Sequence, residues 1–297
     1  MRPLNRLGWL LACLVLASCA IAQDAEEVTI GVEKVVDGVY MLTGRGGNLG
    51  LAVGDDGAFL IDDQYAPLSD KIRSAVESVS KTPLRFIVNT HWHGDHTGGN
   101  ENLGSGGVTI LAHDNVRQRM SVEQVMEVFD LTTPPSPTAA LPVITFPDRI
   151  TFHMNGLEIE TLHVPAAHTD GDSMIFFKGI NVIHMGDVYF NGGYPFIDAG
   201  SGGTIDGVIA AVKTVLERSD ADTRIIPGHG TLSTPKELRE YLAMLEGTRT
   251  AILKEIQAGK SREETVAANP TAPFDEIWGN GFMKPDVFTG LVYQTLN

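Results

Sequence analysis

Six consecutive residues, His91-Trp92-His93-Gly94-Asp95-His96, put four metal-capable side chains into one short stretch. The apolar run Phe86-Ile87-Val88 precedes them and Thr97-Gly98-Gly99-Asn100 follows, so the motif hangs from the end of a buried strand and runs into a turn. In extended backbone, residues i and i+2 project to one side, which lets His91 and His93 grip one ion together. Gly94 then permits a sharp turn that swings Asp95 and His96 toward a second position. Imidazole nitrogen and carboxylate oxygen are the donors zinc accepts where a coordination position must stay open for chemistry. The plainer reading is a polar loop with accidental histidines. Against it, only nine histidines occur in the 297 residues, and three of them fall within these six.

Single ligand types recur at later punctuated positions. His168 lies in Pro165-Ala166-Ala167-His168-Thr169-Asp170-Gly171, directly after a strand-like segment. Asp187 follows Gly186 at the end of another, and His229 stands in Ile225-Ile226-Pro227-Gly228-His229-Gly230 at the end of a third.

The elements that must position these groups alternate apolar runs with turns. Residues 39–42, 49–53 and 58–61 read as consecutive strands, the last two joined through Gly54-Asp55-Asp56-Gly57. A helix begins near Ser69 with Ile72, Val76 and Val79 on one face, and the strand bearing the metal motif follows. Residues 108–112 read as a strand, 116–129 as a helix, and Thr132-Thr133-Pro134-Pro135-Ser136-Pro137 as a loop. A second series of strands covers 150–152, 157–162, 174–177 and 182–185, with helices at 205–218 and 235–257. The last helix opens on Thr234-Pro235-Lys236-Glu237, a capping box with proline at the first helical position. Strands then helices, repeated twice, predict two similar halves packed sheet on sheet with helices outside. Trp278, Phe282, Phe288, Leu291 and Tyr293 make the C-terminal tail too apolar for disorder, so it either docks on the body or forms a dimer contact.

The first 22 residues read as an export signal: Arg2 and Arg6, an apolar stretch from Leu7 to Leu16, then small residues ending in Ala20-Ile21-Ala22. Leu16-Ala17-Ser18-Cys19 also resembles a lipobox, which would tether the protein to a membrane through Cys19. The expected product is periplasmic or secreted, with residues 23–297 as one domain. Both cysteines, Cys13 and Cys19, lie in that segment, so a product cleaved after Ala22 has no thiol nucleophile, cysteine-ligated zinc or iron–sulfur cluster. With 22 Lys and Arg against 37 Asp and Glu, the chain repels phosphate backbones and anionic lipid. A small-molecule substrate is expected, not a nucleic acid; the oligomeric state is left open.

As a set these motifs resemble the metallo-β-lactamase fold superfamily of hydrolases, over nearly all of the chain after residue 22. The shared features are Leu60-Ile61-Asp62, the HxHxDH core, His168, Gly186-Asp187 and Pro227-Gly228-His229. The resemblance implies an α/β architecture, an αββα sandwich with the site at its mouth. It implies two zinc ions, the first held by His91, His93 and His168, the second by Asp95, His96 and His229, with Asp187 bridging. It implies hydrolysis by a metal-bridging hydroxide, Asp95 also accepting or passing a proton. The lactamase branches typically carry Cys or Ser where this chain has Asp187, whereas glyoxalase-like and lactonase-like branches carry Asp. The expected activity is therefore cleavage of a cyclic amide or ester, β-lactams among them, with lactone or thioester hydrolysis of the glyoxalase II kind as the alternative. Iron-dependent oxidoreductases and a metal-binding protein without chemistry are more distant readings.

Weaker candidates complete the site. Asp62 resembles an early Asp that supports the ligands through hydrogen bonds, with strand-end capping as the alternative. Tyr189, Asn191 and Tyr194 are candidates for a substrate rim, though aromatic packing explains them almost as well. Trp92 is expected to pack beneath the site, and residues 120–142 to cover its mouth as a flap. His113, His153, His163 and His184 read as structural.

Overall fold

The computed structural model describes residues 27–297, so the segment read as an export signal lies outside the described residues. Strands β1 (Gly31–Val36), β2 (Val39–Thr43), β3 (Leu49–Ala52), β4 (Ala58–Ile61), β5 (Leu84–Val88) and β6 (Thr109–His113) form the first sheet in chain order. After a separate hairpin of β7 (Gln124–Met126) and β8 (Leu131–Thr133), β9 (Ile144–Phe146) joins that sheet beside β6. Pairing is antiparallel through β4 and parallel from β4 to β9. The second sheet runs β10 (Arg149–Met154), β11 (Leu157–His163), β12 (Ser173–Lys178), β13 (Val182–His184) and β14 (Arg224–Ile226), parallel only at its last pair.

The two sheets pack face to face. Met41, Phe59, Ile61 and Val88 of the first interdigitate with Ile159, Ile175, Phe177 and Ile226 of the second. The outer face of the first sheet is covered by α1 (Ser69–Val79), whose Ile72 and Val76 are buried one helical turn apart. Next in the chain come three short helices, α2 (Gly94–Thr97), α3 (Asn100–Ser105) and α4 (Asp114–Met120). The outer face of the second sheet carries α5 (Ile205–Glu217) and α6 (Pro235–Gln257). Thr204 caps α5 by accepting from the Gly207 amide, and Thr234 with Glu237 forms the expected capping box of α6. On α6, Leu238, Tyr241, Leu245 and Ile252 are buried, as their spacing requires. This is the αββα sandwich anticipated from the motif set.

The tail resolves into α7 (Arg262–Ala267), α8 (Asp275–Trp278) and α9 (Pro285–Leu296). Trp278, Phe288, Leu291 and Val292 enter the same core cluster as α5 and α6, so the tail docks on the body. One expectation fails: the helix after β6 stops at Met120 instead of reaching Phe129. Arg119 is held by Asp170 (2.6 and 2.7 Å) and by Gln124 (3.1 Å), and the chain then doubles back as the β7–β8 hairpin. Val122, Val125 and Phe129 all stay exposed, so this stretch has no buried apolar face to hold it as a helix.

Candidate metal centre

Four loops converge at one end of the sandwich. His91 and His93 lie on the bend leaving β5, and Asp95 and His96 ride on α2, of which His93 is the N-cap residue. His168 comes from the loop after β11, Asp187 from the turn after β13, and His229 from the segment after β14. His91, His93, His168 and Asp187 each offer a ligand atom within 4.8 Å of the others, and Asp95, His96 and His229 form a second such group. The chain turns at Gly94 by starting a helix, not through glycine's freedom: Gly94 is helical, and a Cβ there would meet nothing within 4 Å. Its smallness instead leaves open space where it lines the cleft.

Hydrogen bonds fix which nitrogen faces the cluster in His91, His93, His96 and His168. Asp62 accepts from the Thr90 amide (2.7 Å) through one oxygen, and through the other meets the Thr90 hydroxyl and His96 Nδ1 (both 2.7 Å). Since the Thr90 hydroxyl donates to Asp62, it accepts from His91 Nδ1 at 2.9 Å, leaving His91 Nε2 as a lone pair aimed inward. His168 Nδ1 donates to the Phe196 carbonyl (2.7 Å), which likewise frees Nε2. His93 is reversed: its Nε2 meets Asp198 at 3.0 Å, so Nδ1 faces His168 Nε2 at 2.9 Å. Carboxylate or carbonyl partners of this kind set the tautomer and raise the basicity of a ligating imidazole. Asp172 holds the His168 loop by accepting from the amides of His168 (2.6 Å) and Thr169 (2.8 Å).

The donor set fits a cation pair. His91 Nε2, His96 Nε2 and Asp187 Oδ1 are buried without a hydrogen-bond partner, the last two lying 3.0 Å apart in poor alignment for one. Buried polar atoms are normally satisfied, so an inward-facing set of lone pairs is a ligand sphere by its chemistry. Burial opposes charge on His96 and His229, yet the surrounding carboxylates, Asp187 foremost, overcome it. They hold His96 well above the ordinary imidazole value and His229 at about 9. Burial also works against ionised Asp95, but His96 and His229 outweigh it and bring its carboxyl to about 2, an anion suited to ligation and a weak base. Burial keeps His91 well below the ordinary value and His168 at about 4, so both are neutral, whereas His96 and His229 would each give up a proton to a bound cation.

The remaining sequence candidates divide. Asp62 supports His96 and Thr90 as described. Trp92 is buried beside His93 (ring centroids 4.6 Å apart), its indole donating to Ser201 at 3.1 Å. Asn191 and Tyr194 line the cleft, but the Tyr194 hydroxyl turns away to Asp275 (2.8 Å). Tyr189 is not at the rim: it is fully buried, its hydroxyl spent on Ser233 (2.8 Å), because the turn after Asp187 sends it into the core. His113 accepts from the Asn115 amide at the start of α4, His163 stacks on it at 3.6 Å, and His153 is exposed on β10. Sequence reasoning missed Thr90, Asp172 and Asp198. Asp172 sits in the His168-Thr169-Asp170-Gly171-Asp172 run and was readable as a loop cap; Asp198 stands in no ligand pattern.

Two expectations follow from this packing. Asp198→Asn is expected to weaken metal binding about 10- to 100-fold while the fold is retained, checked by competition with a chromophoric chelator. His184 faces the early strands, its Nδ1 accepting from the Gly186 amide (3.1 Å) and Nε2 donating to the Asn48 carbonyl (3.1 Å). Burial lowers its pKa to about 4. The unfolded chain takes up a proton below ~6.5 that the folded ring refuses, so stability is lost as pH falls from there toward 4, by about 3 kcal/mol for this group. Denaturant titrations at pH 7.5 and 5 check it: the difference is expected to shrink in His184→Gln, whose side chain does not titrate.

The family model of the metallo-beta-lactamase superfamily matches residues 42–229, from β2 to the last histidine of the cluster. The chain belongs to that superfamily. Its fold is similar to a metallo-beta-lactamase from Pontibacter korlensis, at TM-score 0.60 and 18% identity, covering 73% of this chain and 99% of that one. It is also similar to the inverting sec-alkylsulfatase of a Pseudomonas species, at TM-score 0.64 and 17% identity, covering 89% of this chain and 50% of that one. Among curated sequences it is 26% identical over 174 residues to the alpha subunit of a 2,4-dinitroanisole O-demethylase from Nocardioides sp., covering 58% of this chain and 48% of the relative. It is 29% identical over 153 residues to a probable hydroxyacylglutathione hydrolase from Schizosaccharomyces pombe, covering 49% of this chain and 48% of that relative. The matches thus span about half the length of both curated relatives. The superfamily is of hydrolase type, and this chain carries a His/Asp cluster able to hold metal.

Proposed function

We propose that this chain is an exported hydrolase that works with two zinc ions and opens a small cyclic amide or ester. One observation carries the reading: the Asp187 carboxylate stands 3.0 to 3.9 Å from ring nitrogens of His91, His96, His168 and His229, the group common to both ligand sets. His91, His93 and His168 would hold one ion, Asp95, His96 and His229 the other, and Asp187 both. Bound zinc supplies Lewis acidity and brings the pKa of water down toward ~7. The protein's part is orientation: Asp62, Thr90, Asp198 and the Phe196 carbonyl lock the imidazoles so that their lone pairs need no reorganisation. Asp95 is a ligand first. Its side chain is 23% exposed against 5% for Asp187, so it is also the carboxylate placed to pass a proton to the leaving group. Residues 1–22 support export, with Cys19 the attachment point if the lipobox is used.

A second reading is lactone or thioester cleavage, favoured by Asp at position 187 and by the name of the yeast relative. Purified protein lacking residues 1–22 is expected to carry about two zinc ions per chain and to turn over a chromogenic cephalosporin or a lactone. A chelator is expected to abolish turnover and zinc to restore it. A much higher kcat/KM on thioesters would transfer the assignment to the second reading. Zinc-replete protein inert toward amides, lactones and thioesters, or iron-loaded protein consuming oxygen, would overturn both.

A further inference from the structure

Above Asp95 and His229 the cleft widens to about 720 Å³, room for a drug-sized molecule, and its mouth is apolar. Phe129 and Leu131 reach it from the β7–β8 hairpin, and Phe282 from the loop between α8 and α9. An unbroken run of rings leads from the metal cluster outward. His93 stacks on Phe196 (5.6 Å between centroids), Phe196 meets Phe129 (4.9 Å), and Phe129 meets Phe282 (5.4 Å). Yet Phe129, Leu131 and Phe282 keep 37%, 46% and 73% of their surfaces exposed. Two elements distant in sequence therefore present a contiguous apolar wall to solvent at one place, directly over the reactive centre. Such a patch marks a surface that something apolar covers.

We infer that the substrate carries an aryl or comparably large apolar group, which lies against Phe129, Leu131 and Phe282 while its carbonyl reaches the metal cluster. This rests on the hydrolase reading above and narrows it. Arg45 is the one arginine or lysine among the residues lining the cleft, and the floor carries Asp95 and Asp187. A glutathione conjugate, with two carboxylates and an ammonium on a flexible polar chain, finds few partners here. An acyl group ending in a ring buries the wall instead, each aromatic side chain covered contributing through the area it removes from water.

The test uses two lactones with the same reacting ring: α-(phenylacetylamino)-γ-butyrolactone and α-(acetylamino)-γ-butyrolactone. For zinc-loaded protein, kcat/KM is expected to favour the phenylacetyl compound by about tenfold or more. Binding of the two ring-opened products, measured by calorimetry on zinc-loaded and on metal-free protein, is expected to show the same preference in both states. Phe282→Ala is expected to cut the phenylacetyl-to-acetyl ratio several-fold, and Phe129→Ala likewise. Ile277→Ser, which alters an exposed apolar residue away from the cleft, leaves the ratio as it is. If neither lactone is cleaved, the product affinities still decide the matter, so failure of the catalytic reading is separable from failure of this one. Equal affinity for the two products, or a ratio unmoved by Phe282→Ala, would overturn the assignment.

Discussion

Replacing Asp187 with Asn is expected to lower kcat/KM by about three orders of magnitude or more, equivalent to roughly 4 kcal/mol of transition-state stabilisation. Asp187 is buried between the two ligand groups, with Oδ1 facing His96 and Oδ2 facing His229, His91 and His168. Asn keeps the shape but removes the charge and turns an amide N–H₂ toward imidazole nitrogens that must stay free to bind metal. Metal content is the deciding second readout, expected to fall below that of the wild type. A variant with full metal content and near-wild-type turnover would remove Asp187 from the mechanism. Circular dichroism separates this loss from misfolding, because the αββα core does not depend on this one side chain.

Gly228→Ala is expected to damage the cluster severely for the addition of a single methyl group. A Cβ at 228 would stand 2.1 Å from Asp187 Oδ1, 2.5 Å from the Gly186 carbonyl carbon and 2.6 Å from its oxygen. Two of these atoms are backbone, and the Gly228 amide itself donates to the Gly186 carbonyl at 2.7 Å, so the two loops cannot simply separate. The expected cost is about 3 kcal/mol, seen as a Tm lower by roughly 6–12 °C. Metal affinity is expected to fall with it, because the displaced carboxylate is the one that reaches histidines of both groups. Gly94→Ala provides the contrast: with open space and helical backbone at that position, its Tm is expected to stay within roughly 2 °C of wild type. Similar melting of the two variants would show that the close approach of the 186 and 228 loops is not a constraint.

The sequence alone picked out the donor residues that the structure gathers into one cluster. Metal coordination needs particular donor atoms, and His91, His93, Asp95 and His96 are crowded into one stretch where donor chemistry is legible without coordinates. His168, Asp187 and His229 were legible because each follows an apolar run and stands beside Gly or Pro, the punctuation of a strand end. The sandwich was legible for a related reason: alternating apolar runs, a capping box at Thr234 and a stripe on 235–257 each report a local backbone preference. Only the tertiary structure decided what surrounds those ligands. Asp198 lies 105 residues from His93 and Thr90 is one residue from His91, yet both became ring-locking partners through geometry that no spacing rule contains. The same holds for the substrate wall, where Phe129 and Phe282 meet across more than half the chain. In sequence Phe129 reads as the end of a helix and Phe282 as a tail aromatic. Donor identity is a property of single side chains, whereas hydrogen-bond partnership and cavity shape exist only between segments that folding brings together.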